Sequence, residues 1–355
     1  MKILHVVQSL ALGGQEVLIA RLAASLRARG HDVVVVPLVP GGALESRFPA
    51  GTVIPVARRE GRDPLLPLRL AAVMRRERPT VVHTHNDSPL VYGAPAAWLA
   101  GVRTVVHTKH GAKAPPRNQA VRRALAHGLR AFVAVSEETA ERAKRDEGIP
   151  ARKVVTIPNG IPTREFGKSA DARHAIRAEL GVPQDAVLVG TLGRLVPEKN
   201  PTLLLEAMEP LLRSGAHLAF VGDGPERPNV EAIVSRGDHP NVHVLGARDD
   251  TARVLAALDV FALSSCIEGL PLALVEAMAT SLPVVSTDVG GIRQATRDTA
   301  VLVPPGDALA LRAAIAALAA SPDERERLGN AACARARSEF DFERVVDRYV
   351  ELYGA

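Results

Sequence analysis

Short runs of β-branched residues recur along the chain, mostly bounded by Gly and Pro and alternating with Ala/Leu/Arg-rich stretches. This alternation predicts strands over 3–7, 33–38, 81–84, 104–108 and 131–135 in the first half. In the second half it predicts them over 187–192, 217–221, 242–245, 260–263 and 283–287. Helical patterns lie between, at 15–29, 65–76, 118–127 and 201–213. Such runs suit parallel strands buried on both faces. Repeated strand–helix–strand units imply an open α/β fold with a doubly wound sheet.

The alternation restarts near residue 187, after the loop-like segment Ile157-Pro-Asn-Gly-Ile-Pro-Thr-Arg-Glu-Phe166. At 355 residues two domains are the natural division. The boundary is expected near 165, giving Rossmann-like halves over 1–165 and 166–339. A last amphipathic helix over 340–355 carries Phe342, Val345, Val346, Tyr349 and Leu352 at helical spacing.

Composition excludes several classes. Forty-seven per cent hydrophobic and 23% charged residues describe a globular protein rather than a disordered one. Cys266 and Cys333 stand far apart, without disulfide or zinc spacing, which suits a reducing compartment. MKILHVVQSL reads as a first strand rather than a signal peptide. No apolar run reaches the ~18 residues of a membrane span. A cytoplasmic protein is expected. Arginines crowd the first 130 residues, at 58–62, 75–78 and 117–130 among others, which suits phosphate groups, an anionic membrane face or nucleic acid. Solvated helix faces explain them as well.

In open α/β sheets ligands sit beyond the carboxyl ends of the strands. After the first strand comes Ala11-Leu-Gly-Gly-Gln-Glu16, where Gly13 and Gly14 would let backbone approach a ligand at a helix N-terminus. The Gly-x-Gly-x-x-Gly dinucleotide fingerprint is missing. His83-Thr-His85-Asn86 follows the third strand and Lys109-His110-Gly111 the fourth. Two histidines at i, i+2 are potential metal ligands, but no carboxylate or Cys completes a set. A lone strand-end histidine is often a hydrogen-bonded structural group, but three at the carboxyl ends of adjacent strands favour a cleft-lining role, and His110 is the strongest candidate.

In the second half, Gly193-Arg-Leu-Val-Pro-Glu-Lys-Asn200 offers Arg194 as a planar fork and Lys199 as a compact charge, both suited to a diphosphate. Val221-Gly-Asp-Gly-Pro225 is a tight turn near a ligand, or simply a turn. Glu268 and Glu276 are separated by seven residues, five of them Leu, Ala or Val, an unusual setting for carboxylates. Pro271 fits the first helical position, which leaves Glu268 in the preceding loop and Glu276 about two turns inside the helix. Amides around Gly269, Leu270, Pro271 and Leu272 would form a donor cluster. Carboxylates accept from sugar and ribose hydroxyls.

Together these residues resemble the retaining glycosyltransferases of the GT-B fold, specifically glycosyltransferase family 4. The motifs are Gly13-Gly14-Gln15-Glu16, Val82-His-Thr-His-Asn86, Thr108-Lys-His-Gly111, the 193–200 and 221–225 segments, Glu268-Gly-Leu-Pro-Leu-Ala-Leu-Val-Glu276, Val289-Gly-Gly-Ile-Arg293 and Val303-Pro-Pro-Gly-Asp307. Their order and spacing span nearly the whole chain. The resemblance implies two Rossmann-like domains facing a cleft, with the C-terminal helix crossing back to the N-terminal, acceptor-binding domain. The C-terminal domain would take a nucleotide-sugar donor. Arg194 and Lys199 would hold the diphosphate and Glu276 the ribose. Glu268 and the amides from Gly269 to Leu272 would hold the transferred sugar, with Gly222 and Gly224 beside the donor. Gly14 would meet the distal phosphate and His110 the sugar near the reacting carbon. His83, His85 and Asn86 would face the acceptor. Gln15 stands where Ala or Thr is commoner, and Asn200 where Gly is commoner.

No Asp-x-Asp occurs. A metal-independent reaction with no cofactor is therefore expected, and the resemblance implies a front-face retaining mechanism with a UDP-sugar as donor. Expected partners are that donor, a glycan, lipid-linked or small-molecule acceptor and an anionic membrane face, but not nucleic acid. The alternatives are a non-hydrolysing sugar-nucleotide 2-epimerase and a catalytically silent sugar-nucleotide-binding subunit. The first would need a carboxylate pair that cannot be placed, and the second would not need the full Arg194, Lys199, Glu268 and Glu276 set.

Overall fold

The structure is a computed structural model and describes residues 1–110, 119–237 and 239–354. Gly111, expected to give His110 room, lies outside the described residues. The chain forms two compact units, Met1–Gly160 with Phe342–Ala355, and Ile161–Asp341.

The first unit holds strands β1 (Lys2–Val7), β2 (Asp32–Pro37), β3 (Val81–His85), β4 (Thr104–Lys109), β5 (Ala131–Ala134) and β6 (Val154–Thr156). They form one sheet of order β2-β1-β3-β4-β5-β6, and its pairings are parallel. Helices α1 (Gly14–Ala28), α2 (Leu66–Glu77), α3 (Asp87–Leu99), α4 (Gln119–Gly128) and α5 (Glu137–Arg145) connect the strands. The second unit repeats the plan. Its strands are β7 (Leu188–Leu192), β8 (His217–Val221), β9 (Val242–Val244), β10 (Val260–Leu263), β11 (Val284–Thr287) and β12 (Ala300–Val303), in the order β12-β11-β10-β7-β8-β9. Its helices are α6 (Ala170–Leu180), α7 (Pro201–Arg213), α8 (Arg227–Gly237), α9 (Thr251–Ala257), α10 (Leu272–Ala279), α11 (Ile292–Thr296), α12 (Ala308–Ala320) and α13 (Pro322–Glu339). The last helix, α14 (Phe342–Tyr353), belongs to the first unit.

Helices cover both sheet faces, which is why the strands read as unbroken apolar runs. Along β1, Ile3 and Val7 enter one core with Leu18, Leu22, Val345 and Tyr349, while Leu4 and Val6 enter the other with Leu70 and Leu90. Each such side chain stabilises by roughly 1.5–3 kcal/mol on burial. His5 points to the same side as Ile3 and Val7.

β6 and β12 were not among the expected strands. Both are edge strands of three and four residues, and although Val154-Val-Thr156 and Ala300-Val-Leu-Val303 are apolar, such short runs do not stand out from their surroundings. The division between units falls at Gly160 rather than 165. Ile161 donates its amide to the Phe340 carbonyl at 2.9 Å, and Thr163 Oγ1 donates to Asp341 at 2.6 Å, so residues 161–165 travel with the second unit.

Each sheet has one place where strand order reverses, between β1 and β3 and between β7 and β10. There the connections leave to opposite faces and the carboxyl ends open a crevice. The candidate residues gather at these two places.

Candidate functional site

In the second unit, β7 leads into Arg194 and β10 into Ser264, Ser265 and Glu268. A single turn at Pro197–Lys199 lies beside them. Lys199 pairs with the buried Glu268, and Ser265 Oγ donates to the same carboxylate oxygen at 2.7 Å. Arg194 is exposed, and its guanidinium pairs with no carboxylate among the described residues. Two cationic side chains, one of them unpaired, thus share a hollow lined by Thr191, Gly193, Leu263 and Ser264. Arg194, Lys199 and Glu268 come together as expected from sequence, with Lys199 and Glu268 joined directly to each other.

The backbone around them is tied on three sides. Ser264 Oγ donates to the carbonyls of Lys199 (3.0 Å) and Asn200 (2.8 Å), and the Cys266 amide donates to Glu198 at 2.8 Å. Thr287 Oγ1 holds the Ser265 carbonyl at 2.7 Å. The Gly291 amide donates to Gly269 at 2.8 Å, and Gly290 at φ +61° lies so close that a Cβ would fall 2.0 Å from the Glu268 carbonyl. The Val289-Gly-Gly-Ile-Arg293 motif is therefore a buttress for the Glu268 loop. Asn200 stands at φ 45°, in the left-handed region that Asn tolerates next best after Gly, which accounts for its place where Gly is commoner.

Three expectations change here. Pro271 is extended (φ −71°, ψ 130°) and caps α10 instead of opening it, so Glu276 lies just over one turn into the helix rather than two. Proline has no amide to give, so the donor cluster reduces to Gly269, Leu270 and Leu272. Leu270 itself is a buried core side chain, while Leu272 and Glu276 are half-buried. The glycines of 221–225 are explained by backbone packing. A Cβ at Gly222 would fall 1.9 Å from the Gly193 carbonyl, and one at Gly224 would fall 2.3 Å from that of Leu195. These two glycines let the Asp223 turn lie against the Arg194 loop, where the Leu195 amide donates to Asp223 at 2.9 Å.

In the first unit, Gly13 is the N-cap of α1 and Gly14 its first residue. A Cβ on Gly13 would lie 2.5 Å from Glu16 Oε2. Asn86, at φ 63°, ends β3; its Nδ2 donates to Gln15 at 2.5 Å and its Oδ1 accepts the His110 amide at 3.0 Å. Gln15, where Ala or Thr is commoner, thus anchors Asn86.

Histidines fill the space behind Asn86. His5 Nδ1 lies 2.9 Å from His85 Nε2, and His85 Nδ1 lies 3.0 Å from His110 Nε2. His83 bonds Tyr353 through Nδ1 at 2.7 Å and Thr108 through Nε2 at 2.8 Å, and Thr108 Oγ1 meets the Tyr349 hydroxyl at 3.2 Å. Burial holds His5 down at about 3 and His110 at about 4, with the Asn159 side chain opposing the shift at His110. Burial first, then mutual repulsion, pushes His83 and His85 well below the ordinary value. The same burial raises Tyr349 to about 12. At neutral pH the group is a set of uncharged rings.

This arrangement corrects the acceptor-side expectation for His83 and His85. Both are fully enclosed, and their nitrogens are taken by neighbouring side chains. Only Asn86 and His110 remain half-buried at the strand ends. His5, His83 and His85 bring ring nitrogens within 4.8 Å of one another. Since those nitrogens bond to each other and to hydroxyls, the cluster is a hydrogen-bonded network rather than an open ligand set. Lys109 turns inward and pairs with buried Glu147, which Arg122 also reaches at 2.7 Å. His5, Thr108, Tyr349 and Tyr353 were not singled out for chemistry by sequence reasoning. A histidine inside an otherwise apolar strand was the available signal for His5.

Comparison with known proteins adds to this geometry. A family model described as Glycosyltransferase Family 4 matches residues 12–165, and one described as Glycosyl transferases group 1 matches 186–321. A D-inositol 3-phosphate glycosyltransferase of Xylanimonas cellulosilytica is 30% identical over 386 residues, covering 96% of this chain and 91% of that one. The UDP-Gal:alpha-D-GlcNAc-diphosphoundecaprenol alpha-1,3-galactosyltransferase of Escherichia coli is 28% identical over 238 residues, 63% of this chain and 62% of the relative, so the chain spans less than two thirds of its length. Among solved structures, Anabaena HepE in complex with UDP is 25% identical, with a TM-score of 0.86 over 99% of each chain. The same protein in complex with UDP and glucose gives 0.84 at 25% identity, over 99% of this chain and 98% of that one.

Proposed function

The chain belongs to glycosyltransferase family 4 and has the GT-B fold, and from that premise we propose that it moves a sugar from a UDP-sugar to an acceptor hydroxyl in glycoconjugate synthesis. The observation that carries this is the pairing of exposed, unpartnered Arg194 with Lys199 and Glu268 at the β7/β10 reversal. Two fixed cations suit a diphosphate, and HepE, which binds UDP, supports uridine as the base.

The second unit takes the donor. Arg194 and Lys199 hold the two phosphates, Glu276 accepts from the ribose hydroxyls, and Glu268 with the Gly269 and Leu270 backbone holds the sugar. As the bond from the anomeric carbon to the phosphate oxygen breaks, negative charge grows on the diphosphate. Arg194 and Lys199 stabilise it without a metal ion, each donor contributing about 2.7–4 kcal/mol. The departing phosphate oxygen takes the proton of the acceptor hydroxyl, whose oxygen bonds to the anomeric carbon on the same face, so configuration is retained. On the first unit, Asn86 and His110, half-buried at the strand ends, are the groups assigned to the acceptor side.

Arg59, Arg62, Arg75 and Arg76 are exposed on the first unit, as are Leu65 (52%) and Leu68 (56%). This mixture suits an anionic membrane face carrying a lipid-linked acceptor; no helix of the described residues is long and apolar enough to cross a membrane.

A thermal-shift screen of UDP-, GDP- and ADP-sugars tests the reading. A UDP-sugar should raise the melting temperature of the second unit and Arg194→Ala should abolish the rise; no response to any nucleotide sugar refutes it.

A further inference from the structure

We propose that Glu147, with Lys109 and Arg122, is a positioning residue for Asn86 and His110, which it ties together through their chain neighbours from the opposite face of the sheet. The proposal deepens the reading of Asn86 and His110 as the acceptor side of the site and rests on it for the kinetic consequence alone.

Lys109 ends β4 immediately before His110, and Asp87 opens α3 immediately after Asn86. Side chains alternate across a strand. Thr108 meets Tyr349 on one face, and the His110 ring stacks on His85 there, with centroids 5.3 Å apart. Lys109 therefore points to the other face, where Val105 shares a core with Leu125 and Ala126 of α4 and Ala143 of α5. On that side Lys109 pairs with Glu147, while Arg122 Nη2 lies 2.7 Å from Glu147 Oε2 and 2.9 Å from Asp87 Oδ1. The side chains of Lys109, Glu147 and Arg122 are only 9%, 2% and 1% exposed, against 44% for Asp87.

These contacts close a ring. A peptide bond joins Asn86 to Asp87, charge joins Asp87 to Arg122, Arg122 to Glu147 and Glu147 to Lys109, and a second peptide bond joins Lys109 to His110. Asn86 Oδ1, which accepts the His110 amide at 3.0 Å, completes it. Glu147 is the member that meets two cations, so the bridge depends on it. Asn86 needs such a hold, because it stands at φ 63°, a backbone state that persists where the surroundings impose it.

For stability alone the bridge is a poor choice. Taking a lysine and an arginine out of water costs about what their pairing returns, and apolar side chains of similar volume would serve the core as well. The three guanidinium nitrogens of Arg122 are buried without a hydrogen-bond partner among the described residues, and its charge is met by Glu147 and Asp87 alone. Displacing either carboxylate would strand a buried cation, which makes the bridge stiff. What it supplies is geometry: it sets the separation of Asp87 from Lys109, and thereby that of Asn86 from His110 at the strand ends.

The test uses the double variant Lys109→Met/Glu147→Gln and the single variant Asp87→Asn. The double variant removes one charge of each sign, so the interior stays balanced and Arg122 keeps Asp87. Hydrogen exchange at the His110 amide is followed by NMR of nitrogen-15 histidine-labelled protein. It should quicken about tenfold in the double variant and about threefold in Asp87→Asn, while the His5 and His83 amides of the same sheet hold their rates. Release of UDP from UDP-glucose should fall in kcat by about tenfold and about threefold respectively, with KM within about twofold because the donor belongs to the second unit. Unchanged exchange at His110 overturns the proposal, as does an unchanged kcat. Equal quickening of all three amides overturns it too, because the bridge would then serve the whole unit rather than the site. Should the double variant not fold, Asp87→Asn decides alone. Should the wild type release no UDP from any UDP-sugar, the transferase reading fails while the exchange rates still judge the bridge.

Discussion

Lowering the pH from 7 to 5 should destabilise the first unit severely, before most carboxylates begin to titrate. Burial depresses the folded values of His5 and His110 to about 3 and about 4, against about 6.5 in an unfolded chain. Below pH 6.5 the unfolded state takes up protons that the folded state refuses. The stability these groups contribute is fully present above 6.5 and is lost as pH falls toward the folded values. Between pH 7 and 5 each neutral histidine gives up about 2 kcal/mol, so His5 and His110 alone account for about 4 kcal/mol. His83, His85 and His107 are all lowered by burial and add in the same direction. A total stability of roughly 5–15 kcal/mol would be largely consumed. The sole tryptophan, Trp98, lies on α3 and so reports on the first unit alone. Urea unfolding followed by its fluorescence should show the free energy dropping by at least about 4 kcal/mol over this range, with an unchanged denaturant slope. His5→Leu should reduce the pH dependence by about one proton, or roughly 1.4 kcal/mol per pH unit below pH 6. A change under about 1 kcal/mol between pH 7 and 5 would refute the reasoning, because the histidines would then titrate normally in the folded state.

Lys199→Ala and Glu276→Ala should each abolish UDP release from the donor while leaving circular dichroism unchanged; near-normal turnover in either removes the diphosphate and ribose assignments. Gly290→Ala should cost about 1–3 kcal/mol and most of the activity, measured by denaturation and turnover together, because its Cβ would strike the Glu268 carbonyl. Asn200→Gly, by contrast, should change both little, since Gly keeps the left-handed backbone and loses only the side-chain bonds to Thr202 and Cys266. Co-sedimentation with phosphatidylglycerol vesicles should fall when Arg59 and Arg62 become Ser; binding that ignores anionic lipid content would argue against the membrane face.

The alternation of strands and helices was legible because both sheets are sandwiched by helices, so most strands had to be apolar throughout. β6 and β12 were not legible, because runs of three and four residues are too short to stand out as strands. Arg194, Lys199 and Glu268 stood out by residue type, and the structure brings them together at one sheet reversal. Elsewhere a residue serves its neighbours: Gly222 and Gly224 answer to the backbone of Gly193 and Leu195, and His83 to the hydroxyls of Tyr353 and Thr108. Pairings of that kind join positions up to 270 residues apart and leave no local periodicity.

The membership of α14 in the first unit has a consequence for how the protein is made. Residues 1–160 leave the ribosome some 10–40 s before Phe342 does, at about 5–20 residues per second. Until then the core around Ile3, Leu18 and Leu22 lacks Val345, Val346 and Tyr349, and His83 lacks the Tyr353 hydroxyl. The second unit, though encoded later, is complete first. Half-made first units must wait with an open apolar face, so this chain is most exposed to chaperones and proteases at its N-terminal half. A nonsense codon that removes only the last dozen residues should therefore damage the oldest part of the molecule.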